Sequence, residues 1–155
     1  MDVQIRLCGQ HICVNSVRLA VGDQTLKQLR SLYIGSVGEY LVRLVLVLLR
    51  YDTLTGSHTS NQQLSIEGIK PSGRVEVFAS PINTSEMEYC SLFADTDVYF
   101  GSRGRWPDAH VDFSKERVRA NPPFIREIQD LLVRHLKEAA LILDTIVGAG
   151  LPESE

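Results

Sequence analysis

Apolar positions at helical spacing mark two early segments of the chain. Leu26, Leu29 and Leu32/Tyr33 fall on one side of a short helix that opens at Asp23, a good N-cap residue, and closes at Gly35. Ser36 and Glu39 have capping-box spacing, and Tyr40, Leu41, Leu44, Leu48 and Tyr51 run down one side of a second helix as far as Thr53. Ahead of both, alternation around Ile12, Val14 and Val17-Arg18-Leu19 predicts a small hairpin or an extended entry. The polar stretch from Leu54 to Gln62 reads as a loop. Beyond it the period changes. Arg74–Ala79 reads as a strand stopped by Ser80-Pro81, Asp97–Gly101 as a second strand, and Arg117–Ala120 as a short third. Phe124, Ile128, Leu131/Leu132, Leu136, Ala139 and Leu143 then keep helical spacing for about six turns. The expected organisation is a mainly helical region over residues 1–70 and an α/β region over residues 71–155. Its last helix begins at the tip of the third strand, where open α/β sheets bind their ligands.

Composition narrows this picture. With 155 residues, 44% of them hydrophobic, the chain has material for one core. A net charge of −3 excludes a wholly basic nucleic-acid binder, so any nucleic acid must be met by a local patch. Arg103, Arg105, Lys115, Arg117, Arg119 and Arg126, against Asp108, Asp112 and Glu116, form such an island; a solvated loop of mixed charge is the other reading. Arg119 either reaches a phosphate from its strand end or snorkels into solvent. Cys8, Cys13 and Cys90 contain no Cys-x-x-Cys pair, and no leader pattern opens the chain, so an intracellular, reducing compartment is expected. Cys8, His11 and Cys13 lie close together but fall short of four zinc ligands, and no metal is expected. The run Leu41–Leu49 is too short to cross a bilayer, which needs ~20 apolar residues, and Arg43 interrupts it.

The tetrad Asn121-Pro122-Pro123-Phe124 carries the most specific chemistry. A planar amine is a poor nucleophile because its lone pair is delocalised into the adjoining π-system. An Asn side-chain oxygen and a main-chain carbonyl can each accept one of its N–H bonds and stabilise the charge that grows on nitrogen during transfer. The two prolines stiffen the backbone and bring no N–H of their own, and Pro122 holds Asn121 extended. Phe124 offers a face on which a base can stack. The same logic would suit an adenine of RNA or DNA, or a glutamine amide. Taken as four letters, however, the tetrad is also an ordinary rigid turn.

Four segments in register resolve the ambiguity: Phe78-Ala79-Ser80-Pro81-Ile82-Asn83, Tyr89-Cys90-Ser91-Leu92-Phe93-Ala94-Asp95-Thr96-Asp97, Phe100-Gly101-Ser102-Arg103-Gly104 and Ala120-Asn121-Pro122-Pro123-Phe124. In this order they resemble the phosphorylated-CTD-interacting-factor family, over roughly Arg18 to Leu136. The resemblance implies an α/β fold with a partial Rossmann-like methyltransferase sheet, preceded by a small helical region. It further implies S-adenosylmethionine-dependent N6-methylation of the adenosine beside the cap of messenger RNA, in the nucleus. Asn121, Pro122, Pro123 and Phe124 carry over as the adenine-amine site. Ser80, Pro81 and Asn83 carry over as the cofactor loop, and Asp95, Asp97 and Ser102 as residues near ribose or substrate. His135 is read as a partly exposed helix-face residue, since transfer from a sulfonium needs no strong general base.

Two departures from the family pattern shape the remaining expectations. An aromatic WW module is expected to be absent, which leaves a phosphorylated polymerase tail without support as a partner. At most three strands of the sheet are expected against a usual five or six, so the chain reads as a clipped enzyme, a short paralogue or half of a complementing pair. A catalytically inactive adaptor that binds RNA or protein is therefore the second functional reading.

Overall fold

The computed structural model of the protein describes residues 2–55 and 69–150. The chain opens with three antiparallel strands, β1 (Ile5–Cys8), β2 (His11–Val14) and β3 (Val17–Ala20), paired in chain order. Register opposes Leu7 to Ile12 and Ile12 to Leu19, which gathers the apolar residues on one face. Ile12 is fully buried there. Gly9 and Asn15, both with positive φ, supply the two turns.

Helix α1 (Asp23–Leu32) has Gly22 at its N-cap, one residue before the expected Asp23. Asp23 is instead the acid of the first turn, where it complements the helix dipole and accepts a bond from Gln10 Nε2. Ser36 caps a single 3-10 turn without using its hydroxyl, and α2 (Tyr40–Thr55) follows. The predicted loop begins inside this helix, and its remainder lies outside the described residues.

A second sheet holds β4 (Val75–Ala79) between β5 (Glu88–Ser91) and β6 (Val118–Arg119), all three parallel. β5 replaces the strand predicted over Asp97–Gly101. That stretch is helical instead: α3 (Ala94–Asp97) runs on into a 3-10 turn over Val98–Phe100. The Phe93 carbonyl collects the N–H groups of Thr96 and Asp97, and Gly101, at φ +85°, ends the run. The apolar triplet Val98-Tyr99-Phe100 is thus used for packing without a ladder. Phe100 is fully buried beside Tyr33, with ring centroids 5.3 Å apart.

Two cores flank the parallel sheet. On one side Tyr89 and Ile82 join Ile12, Leu29, Leu32, Leu44, Val47 and Phe100 from the meander and the first helices. On the other, Val75, Val77 and Cys90 meet Trp106, Val111 and Leu132 of α4 (Arg126–Gly150). α4 begins two residues later than the apolar period suggests, so Phe124 stands outside it, fully exposed. Among the described residues no helix is long and apolar enough to cross a membrane.

Candidate functional site

Because β4, β5 and β6 are parallel, the loops that leave Ala79, Ser91 and Arg119 share one edge of the sheet. The pairing of β4 with β5 slips between Glu76 and Ala79. Such bulges re-aim side chains beside binding sites. Here Val77, Phe78 and Ala79 all line one cavity of about 300 Å³ at that edge. Ser91 and Leu92 from the end of β5, the Arg105–Pro107 loop, Pro123, and Ile128 and Leu131 of α4 complete it. The cavity sits at the small end of ligand pockets, and its lining is mostly apolar, as such sites usually are.

The structure brings the two predicted loops to this edge. The Ser80–Asn83 loop closes on itself: Asn83 Oδ1 accepts from the Ser80 N–H at 2.8 Å and the Ser80 hydroxyl at 2.9 Å. Gln28 of α1, buried, donates its amide to the carbonyls of Pro81 and Ile82 at 3.0 Å and of Thr84 at 3.2 Å. A buried carbonyl without a partner would cost about 1–3 kcal/mol. Gln28 therefore fixes this loop from below. It lies on the stripe of Thr25, Leu29 and Leu32, and a long amide on an otherwise buried stripe is the sequence signal that identifies it.

In the Asn121–Phe124 loop only Pro123 lines the cavity. Asn121 is exposed, and among the described residues nothing hydrogen-bonds its side chain. The Pro123 carbonyl is occupied by the Ile125 N–H at 2.7 Å and by Gln129 Nε2 at 3.4 Å.

The three residues expected near ribose do not line the cavity. Asp95 is exposed and held in a two-bond ion pair by Arg50, at 2.7 Å for each bond. Ser102 is buried behind Ser91, with their hydroxyls 2.7 Å apart. Asp97 is fully buried and ties α3 to α2 through the Tyr51 hydroxyl at 2.5 Å and the Thr96 hydroxyl at 3.1 Å.

Burial pushes the Asp97 carboxyl above its ordinary range, and bonds from Tyr51, Ser91, Thr96 and the Phe93 N–H offset this without cancelling it. The folded state therefore holds this proton more tightly than the unfolded chain. The carboxyl's contribution to stability is full below its ordinary value of 3.8 and is lost as pH rises through the raised folded value. The neighbouring phenols of Tyr51 and Tyr89 are also pushed upward by burial and stay neutral in this range. We expect the stability advantage of wild type over Asp97→Asn to shrink from about pH 3 to about pH 7 in urea titrations. A constant difference across that range would show that Asp97 does not titrate with folding.

Trp106 was not singled out by the sequence, although it is the chain's one tryptophan. It is 7% exposed, walls the cavity, and meets Phe78 and His135 edge-on, with centroids 5.5 and 5.2 Å apart. His135 is half-buried against it, in keeping with a packing role.

The lining suits a planar base, which would meet aromatic and aliphatic walls. It fits S-adenosylmethionine less well, because no carboxylate lines the cavity to receive ribose hydroxyls, and the two acids expected for that task are engaged elsewhere.

Comparison with known proteins supplies the family. The human mRNA (2'-O-methyladenosine-N(6)-)-methyltransferase is 51% identical over 63 residues, which is 40% of this chain and 8% of the human protein. The mouse protein of the same name is 46% identical over 65 residues, 41% of this chain and 9% of its own length. The chain thus matches less than a tenth of the length of either relative. A family model described as the phosphorylated CTD interacting factor 1 WW domain matches residues 28–145. That description corrects the expected absence of a WW module, which rested on the chain's lack of a recognisable aromatic signature, and removes the ground for setting aside a phosphorylated polymerase tail. With well over half of its residues inside the match, the chain belongs to the phosphorylated CTD interacting factor 1 family.

Proposed function

We propose that this chain carries the acceptor side of an S-adenosylmethionine-dependent adenosine N6-methyltransferase acting on RNA, at the adenosine next to the cap of messenger RNA, in the nucleus. One observation supports this most: the loops at Ser80–Asn83 and Asn121–Phe124 leave one edge of a parallel sheet beside an apolar cavity. The names of the human and mouse relatives support the reaction class. We read the sheet as part of a Rossmann-like methyltransferase fold.

In this reading the adenine ring enters the cavity among Phe78, Trp106 and Pro123. Its amine lies at the rim, where the Asn121 side-chain oxygen accepts one N–H. The Pro123 carbonyl is spent on the start of α4, so the second acceptor is the Pro122 carbonyl, which has no hydrogen-bond partner among the described residues. Phe124 presents its whole ring to solvent, an unusual exposure for so large an apolar side chain and a fitting one for a stacking surface. Bound cofactor would supply an electrophilic methyl group. The locked Ser80–Asn83 loop is the candidate to hold it, although no carboxylate for its ribose lines the cavity.

That missing acid specifically favours the second reading, an RNA- or protein-binding adaptor without activity. The test is incorporation of labelled methyl from S-adenosylmethionine into capped RNA that begins with adenosine, with guanosine-initiated RNA, duplex DNA and a glutamine peptide as controls. We expect label on the adenosine-initiated RNA alone. No incorporation, together with no calorimetric binding at millimolar cofactor, would favour the adaptor or a clipped enzyme without a working cofactor site.

A further inference from the structure

We propose that Arg105 selects the substrate of this site by holding a phosphate of the nucleotide whose base enters the cavity. The inference rests on reading the cavity as a base pocket, and it narrows the ligand to an adenine nucleotide carrying a 5′-phosphate, as within an RNA chain.

Of the six cations between Arg103 and Arg126, five lie against the protein's own acceptors. Arg103 is held by Glu88 and Glu116, each at 2.8 Å. Lys115 lies 3.7 Å from Asp112, and Arg126 lies 3.8 Å from Asp130. Arg117 donates to the Ser72 carbonyl at 3.3 Å, and Arg119 to the Ser85 hydroxyl at 2.9 Å. The basic island is thus largely spent on the protein's own acceptors. Arg105 is the exception: among the described residues its side chain has no partner, and Asp108, the nearest acid along the sequence, does not pair with it. It is also the one island cation that lines the cavity.

An unpaired guanidinium at the rim of an apolar chamber is matched to an anion attached to an apolar, planar group. Its fork of donors suits a phosphate and takes two oxygens at once. A protein amide or a free nucleoside would leave the charge unanswered. The adenosine of S-adenosylmethionine carries no phosphate either, so a phosphate-dependent gain in binding marks the acceptor nucleotide and not the cofactor.

The chain provides its own reporter, because its single tryptophan walls the same cavity. Intrinsic fluorescence is titrated with adenosine and with adenosine 5′-monophosphate at low salt. Both should perturb Trp106, and the monophosphate should do so at about tenfold lower concentration, the scale of one charge-assisted hydrogen bond. Arg105→Gln should bring the monophosphate back to the midpoint of adenosine and leave adenosine unchanged, and Arg105→Lys should recover part of the gap. The advantage should also shrink as salt is added. Arg105 is exposed, and its carbonyl, which accepts from Ala109 at 2.7 Å, survives in both variants. Adenosine binding with no preference for the monophosphate, or a preference that persists in Arg105→Gln, overturns the phosphate assignment and spares the base pocket. If neither ligand perturbs Trp106, the base pocket itself fails and the assignment falls with it.

Discussion

Trp106→Ala is expected to cost about 3–5 kcal/mol of folding stability, the range for truncating a large aromatic in a core. The indole comes from a loop, but it is the centre of the second core. Val75, Val77, Cys90, Val111 and Leu132 cluster with it, and Phe78, Phe113 and His135 all meet it edge-on or tilted, with centroids between 5.2 and 6.1 Å away. Removing it would leave the α4 side of a three-stranded sheet without its largest contact. Domains of this size are commonly stable by only about 5–15 kcal/mol, so such a loss is a large fraction of the total. Urea unfolding followed by far-UV circular dichroism measures it without needing the lost fluorophore. Trp106→Phe should fold with a smaller loss, since an aromatic edge remains for Phe78. If Trp106→Ala costs less than about 1 kcal/mol, within the usual scatter of single substitutions, the indole is not what holds this core.

That central role was invisible along the chain for a physical reason. A residue in an irregular loop belongs to no hydrophobic period, so its burial depends on tertiary packing alone. Helices α1, α2 and α4 were legible because their apolar stripes repeat locally. β4 was legible because its run of β-formers stops at Ser80-Pro81, and the short β6 because Asn121-Pro122-Pro123 follows it closely. β5 was not: Glu88-Tyr89-Cys90-Ser91 offers only two apolar letters, and its place is set by pairing with β4. Val98-Tyr99-Phe100 misled in the opposite direction, since a β-like triplet was captured by the Phe93 carbonyl and the buried Asp97. At the site, the shared edge of the two loops follows from the parallel direction of β4 and β6. The loss of Asp95 to Arg50 and of Asp97 to Tyr51 was not legible, because both partners lie more than forty residues away in α2. The bulge that turns Phe78 toward the cavity is likewise a property of the strand pair and not of either strand.

Asn121→Ala should lower methyl transfer to capped, adenosine-initiated RNA by at least ~100-fold while leaving the urea midpoint unchanged. The magnitude is that of losing one preorganised acceptor for a charge that develops only in the transition state. The unchanged stability follows from the structure, in which Asn121 is exposed and, among the described residues, its side chain makes no hydrogen bond. Backbone alone sets its position. Two residues earlier Arg119 is registered against Glu76 in the sheet, and Pro122 restricts Asn121 to extended conformations. Asn121→Asp gives the informative contrast, because a carboxylate oxygen can accept the same N–H and should retain part of the activity, whereas a purely steric role would treat alanine and aspartate alike. Asn121→Ala turning over near the wild-type rate would remove this side chain from the reaction. Equal losses in both variants would assign it to shaping the rim, with the Pro122 carbonyl left as the acceptor on which amine positioning depends.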